Sequence, residues 1–116
     1  MKNFLAIYVG TQQSRSKWDT LSEVERKKRQ AAGMEAWMNW GKTNSGAIVD
    51  QGGPLGKTKR ASPEGVTDIK NAMTGYAIVR AESHEAAAKL FESHPHFTIF
   101  PGDSVEIMEC LPLPRQ

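Results

Sequence analysis

The stretch from Gly75 to Cys110 most constrains what this chain can fold into, because it has the pattern of a strand, a helix and a second strand in immediate succession. Tyr76, Ile78 and Arg80 alternate with Ala77, Val79 and Ala81, so the first run is largely apolar on both faces. Ser83 is suited to cap a helix, and Glu85 in the first turn favours the dipole. Ala86, Ala87, Leu90, Phe91 and His94 form an inward stripe. Pro95 disfavours helical geometry in the residue before it, so the helix is expected to stop at His94. After Phe97–Phe100 as a short link and Pro101-Gly102-Asp103 as a turn, Ser104–Leu111 returns as a strand. Val105, Ile107, Glu109 and Leu111 lie on one face of it, and Glu106, Met108 and Cys110 on the other.

The N-terminal half echoes this unit. Asn3–Val9 is a strand with Leu5, Ile7 and Val9 on one face and Phe4, Ala6 and Tyr8 on the other, again apolar on both sides and therefore central. Gly10–Thr20 is polar and is expected to be a loop anchored by Trp18. Ser22-Glu23-Val24-Glu25 has the form of a capping box and opens a helix running toward Thr43. Val24, Ala31, Met34, Trp37, Met38 and Gly41 form its inward stripe. Gly46 is expected to end it in a left-handed conformation. A short strand Ala47–Asp50, a turn Gln51–Gly56, and a polar hairpin from Lys57 to Asp68 complete the order. Leu111–Pro114 is an extended tail.

Strand, helix, strand, hairpin, strand, helix, strand is the split pattern of a ferredoxin-like α+β domain, βαββαβ, with a four-stranded antiparallel sheet and two helices on one face. The other face is then uncovered. Since the strongest strands are apolar on both sides, two such sheets are expected to meet in a homodimer through that face. With 116 residues, 39% hydrophobic and 24% charged, the chain has the size and composition of one domain spanning 1–116.

The net charge of +2 comes from 15 basic and 13 acidic residues and does not provide the concentrated basic face that nucleic acid requires. The run Arg26-Lys27-Lys28-Arg29 follows Glu23 and Glu25 and fits a solvated helix face. No segment has the length of a membrane span and the N-terminal apolar run is too short for a signal peptide, so a cytoplasmic protein is expected. The single Cys110 excludes an intramolecular disulfide and is expected to be a buried, inert thiol.

Lys2–Tyr8, Gly46–Leu55, Thr74–Val79 and the ending from Ser93-His94-Pro95 to Val105-Glu106-Ile107 together resemble the YCII-related family. The resemblance implies a dimeric α/β barrel of ferredoxin-like subunits. Some members carry an Asp-Gly-Pro-Phe signature ahead of the third main strand; here Val66-Thr67-Asp68-Ile69-Lys70 keeps only the Asp. A few relatives act on ring-cleavage products of aromatic compounds, and a His-Asp pair has been suggested as catalytic in others.

His94 and His96 are the residues best suited to chemistry, since an imidazole with a pKa near neutrality at the mouth of a cleft could shuttle a proton. The plainer reading of His94 is a helix C-terminal cap, and of His96 a loop residue. Asp50, at a strand end beside a glycine-rich turn, is the first choice of carboxylate partner; Asp103 reads as a turn former. Trp37, Trp40, Gly52 and Gly53 are candidate ligand contacts, and His84 is expected to face solvent. His-x-His lacks an evident third ligand, so no metal is assigned, and no cofactor is implied. Gly56-Lys57-Thr58 lacks the upstream glycine of a phosphate-binding loop. The functional expectation is cofactor-independent acid-base chemistry, as of a lyase or isomerase, on a small acidic or aromatic-derived metabolite. The alternative is a non-catalytic ligand-binding or protein-interaction module.

Overall fold

The computed structural model describes residues 1–114. Its elements are β1 (Lys2–Val9), α1 (Gln12–Asp19), α2 (Glu23–Thr43), β2 (Ile48–Pro54), β3 (Thr58–Ser62), β4 (Gly65–Ile69), β5 (Met73–Ala81), α3 (His84–Lys89), α4 (Pro95–Thr98) and β6 (Ser104–Glu109). Four strands form one antiparallel sheet in the order β2-β5-β1-β6, the ferredoxin-like arrangement. β3 and β4 form a separate two-stranded sheet, the expected polar hairpin, tied by a Lys59–Asp68 ion pair at 2.7 Å.

The alternation of β1 and β5 divides the sheet into two faces. Phe4, Ala6 and Tyr8 of β1 and Ala77, Val79 and Ala81 of β5 are buried beneath the helices, with Ala87 and Phe91 above them. On the opposite face Leu5 pairs with Ile78 and Met108, and Ile7 with Tyr76 and Glu106. Among the described residues no helix covers that face. Cys110 lies on it and is exposed, which corrects the expectation of a buried thiol: the apolar run is real, but its outer side has no lid. The radius of gyration is 16.2 Å, where a compact chain of this length has about 13 Å. The accessible surface is 8526 Å², against about 6,300 Å² for a compact monomer of this mass.

Several local expectations are corrected. Gln12–Asp19 is helical, not a loop. Its sequence has no apolar periodicity; it is fixed at its start by Thr11, whose Oγ accepts the amide of Ser14 (3.3 Å), and Trp18 anchors it against Phe100 with ring centroids 6.0 Å apart. In α2, Ser22 does cap by accepting the Glu25 amide (3.1 Å), but the Glu25 carboxylate turns to Arg29 (3.3 Å) instead of closing the box.

The stripe expected on α2 is largely exposed, with Val24, Met34 and Met38 at 76%, 55% and 61%. Of that stripe Trp37 does pack against the core, and the helix also touches the body through Gly33, its one buried position, and Trp40. A Cβ at 33 would come within 2.5 Å of the Phe100 ring. Arg26 links α1 to α2 by donating to the carbonyls of Asp19 (3.0 Å) and Leu21 (2.9 Å).

β2 continues through the glycines that look like a turn, with register shifts between Ile48 and Asp50 and between Asp50 and Gly53. Gly52, not Gly46, adopts the left-handed conformation (φ 62°). A side chain there would collide with the Tyr76 carbonyl. His84 is exposed, as expected, and is held there by its Nε2 donating to the Ile107 carbonyl (2.7 Å) and by its ring stacking on Phe4 at 5.3 Å. No helix among the described residues is long and apolar enough to cross a membrane.

Candidate functional site

α3 ends at Lys89, and a separate short helix begins at Pro95. His94 is therefore the cap at the start of α4 and not the end of α3, with the proline in the first-turn position it tolerates best. This corrects the reading of His94-Pro95-His96 as a helix stop. The His94 Nδ1 accepts the His96 amide at 3.0 Å, so Nδ1 is the unprotonated nitrogen and the neutral ring carries its proton on Nε2.

That Nε2 is buried and has no hydrogen-bond partner among the described residues. The ring is packed among those of Trp37, Trp40, Tyr8 and Phe91, at centroid distances of 4.5, 4.7, 5.3 and 5.8 Å. Burial, aided by the nearby His96, pushes its pKa down to about 4. His94 is thus a neutral structural imidazole at physiological pH and not the near-neutral proton shuttle expected of a cleft mouth.

His96 sits differently. Its Nε2 donates to the Val9 carbonyl (2.9 Å), which also accepts the Asp103 amide (2.9 Å), and its own carbonyl accepts the Gly102 amide (2.9 Å). A carbonyl only accepts, so the proton of neutral His96 is on Nε2, and Nδ1 is its lone pair. Nδ1 has no partner among the described residues and is not among the buried unpartnered atoms. Gly102 packs so closely that any side chain there would overlap the His96 ring. Burial lowers the His96 pKa; the Val9 carbonyl, the Asp103 carboxylate and the Ser104 carbonyl oppose that shift.

The carboxylate acting on His96 is therefore Asp103. Its own pKa is lowered by hydrogen bonds from Ser14 and Thr11, and it receives the Thr11 hydroxyl at 2.9 Å. Asp50, expected as the partner, instead uses Oδ1 to accept the Gly52 amide (2.8 Å) and so holds the β2 irregularity in shape.

His96 forms part of the wall of an open cleft of about 1120 Å³ between α2 and the sheet. Trp37, Trp40, Gly52 and Gly53 line the same cleft; His94 and Asp50 do not. The Trp40 indole is fixed by donating to the Leu90 carbonyl (2.7 Å). The exposed Met34 and Met38 line the cleft too, which is why they fail to reach a core.

Sequence reasoning missed Tyr8 as a site residue. It lines the cleft with its ring 5.2 Å from that of His96, and burial pushes its pKa up to about 12, so it remains a phenol and a hydrogen-bond donor. The available signal was its position: the last helix-facing residue of β1, two before Gly10. Among the described residues no three His, Cys, Asp or Glu side chains converge as a metal-binding group.

No protein-family model matches the chain, and no curated protein matches it. A solved structure of 5-chloro-2-hydroxyhydroquinone dehydrochlorinase (TftG) from Burkholderia phenoliruptrix AC1100, in complex with 2,5-dihydroxybenzoquinone, aligns over 91% of this chain and 90% of that one. The TM-score is 0.50 and the sequence identity 20%, a likeness of fold.

Proposed function

We propose that the cleft carries out cofactor-independent proton transfer on a small acidic or aromatic-derived metabolite. His96 Nδ1 is the base, and the Tyr8 hydroxyl donates to the oxygen on which charge develops. The observation that carries this reading is the fixed tautomer of His96 on the cleft wall, its Nε2 tied to the Val9 carbonyl at 2.9 Å beside a phenol that stays protonated. Trp37 and Trp40 supply apolar surface for a planar ligand. That the same fold accommodates a dehydrochlorinase bound to a dihydroxybenzoquinone is compatible with such a ligand.

The test is a thermal-shift screen of small aromatic and ring-cleavage acids, followed by deuterium exchange of each stabilising compound in D₂O, monitored by NMR. Exchange by the wild type and its loss in His96→Gln support the reading. Equal exchange by His96→Gln, or no exchange of any stabilising compound, sinks it and leaves the ligand-binding module.

We propose further that the chain is a homodimer joined through the uncovered sheet face, as the YCII-related resemblance implies. Its support is the row Leu5, Ile7, Tyr76, Ile78 and Met108 on that face, together with a surface roughly a third larger than a compact monomer would expose. Light scattering should give twice the chain mass, and Ile7→Lys with Ile78→Lys should give a folded monomer; a wild-type monomer at micromolar concentration contradicts it.

A further inference from the structure

Apart from tyrosine and His96, the ionisable residues of the cleft wall are all cations: Arg15 of α1, Lys42 in the last turn of α2, and Lys70 at the root of the hairpin. None of the chain's 13 acidic residues lies on that wall, although acidic and basic residues are nearly balanced overall. The three cations come from separate segments of the chain, so their presence on one wall is a product of the fold and not of a local basic run. The dense run Arg26–Arg29 is elsewhere, and Lys27 and Arg29 are paired there with Glu23 and Glu25.

Lys42 and Lys70 make no ion pair among the described residues, and Arg15 has only an exposed contact with Asp19 at 3.7 Å. The charges of Lys42 and Lys70 are therefore available to a ligand, and that of Arg15 is shared with Asp19. The apolar part of the same wall is aromatic and thioether-rich, with Trp37, Trp40 and Phe100 beside Met34 and Met38. A wall combining flat apolar surfaces with an excess of cations is complementary to a planar conjugated ring bearing negative charge. A neutral ring would gain the stacking and leave the cations unmatched, and a cation would be repelled.

We infer that the cleft selects planar, conjugated organic anions, with the ring against Trp37 and Trp40 and the carboxylate or enolate oxygens turned to Arg15, Lys42 and Lys70. This rests on the reading of the cleft as a small-molecule site but does not require His96 to act as a base.

The experiment is a tryptophan-fluorescence titration with a series of hydroxybenzoates and the matching hydroxybenzamides, which share ring and hydroxyl pattern and differ in charge. The acids should bind about tenfold tighter than the amides, as expected for charge-assisted hydrogen bonds. Raising the salt to about 0.5 M should erode that preference. Lys42→Gln combined with Lys70→Gln, both exposed positions, should weaken the acids about tenfold and leave the amides unchanged. Equal affinity for acid and amide, an unchanged acid affinity in the double variant, or no saturable binding of any acid overturns the inference. The same titration on His96→Gln separates the two readings: acid preference retained without deuterium exchange in any variant removes the proton-transfer reading alone.

Discussion

Burying a neutral His94 makes the fold sensitive to mild acid, with a magnitude that follows from its surroundings. The ring has no exposed surface, and its pKa falls from the ordinary 6.5 to about 4. Between those values the unfolded chain binds a proton that the native chain does not, so stability falls as pH falls below about 6.5 and the loss is complete below about 4. Linkage over that interval gives a loss of about 2 kcal/mol at pH 5 and about 3 kcal/mol at the acid limit. His96, also lowered, adds in the same direction. Asp103 acts outside this window: its lowered carboxyl contributes stability that is lost only as pH falls through its folded pKa, below the usual 3.8.

The assay is urea unfolding followed by tryptophan fluorescence from about pH 8 to about pH 5. The informative variant is His94→Asn, whose carboxamide oxygen can cap the His96 amide while removing the titrating ring. It should be less stable than wild type at pH 8 by about 1–3 kcal/mol, because atoms are lost from a packed site, and its stability should change much less with pH. A wild-type stability that is flat between pH 7 and pH 5, or a His94→Asn profile as steep as the wild type, would refute the reasoning.

Other consequences concern the glycines that shape the cleft. Gly102→Ala would push the His96 ring off the Val9 carbonyl, so the His96 ring resonances should shift in NMR spectra and ligand binding should weaken, while wild-type spectra would contradict the packing. Gly52→Ala combines a φ of 62° with a collision against the Tyr76 carbonyl; a loss of at least about 2 kcal/mol is expected in urea unfolding, and a neutral effect would mean β2 does not carry this irregularity. Gly33→Ala should lift α2 from Phe100 and lower the stability by about 1–3 kcal/mol, read as a fall in Tm.

The strands were legible because β1 and β5 are long, apolar on both faces and alternate strictly, so pattern alone fixed their central place and their two faces. The helix α1 was not, since Gln12–Asp19 contains no apolar stripe and depends on Thr11 donating to the carboxylate of Asp103, ninety-two residues away. Pro95 marks a boundary in the sequence but not which side the helix is on: proline disfavours helical geometry before it and favours a helix beginning at it, and the local residues fit either.

For the site, Trp37, Trp40, Gly52, Gly53 and His96 were brought to one cleft, whereas the sequence offered no means of choosing between Asp50 and Asp103. That choice depends on which carboxylate the fold places next to His96, through a carbonyl of β1 that carries no side-chain signature. Met34 and Met38 match a core stripe by spacing but flank a cleft, because α2 meets the body at Gly33 and the tryptophans and leaves a space beside them.

The most direct test of a base presented to the cleft is long-range ¹H–¹⁵N NMR of the histidine rings at about pH 7, recorded with and without a hydroxybenzoate. The structure predicts His96 protonated on Nε2, with an unprotonated Nδ1 whose resonance moves when the acid is added, while His94 keeps its tautomer. A His96 ring protonated on Nδ1, or an Nδ1 resonance indifferent to a bound acid, would contradict the account.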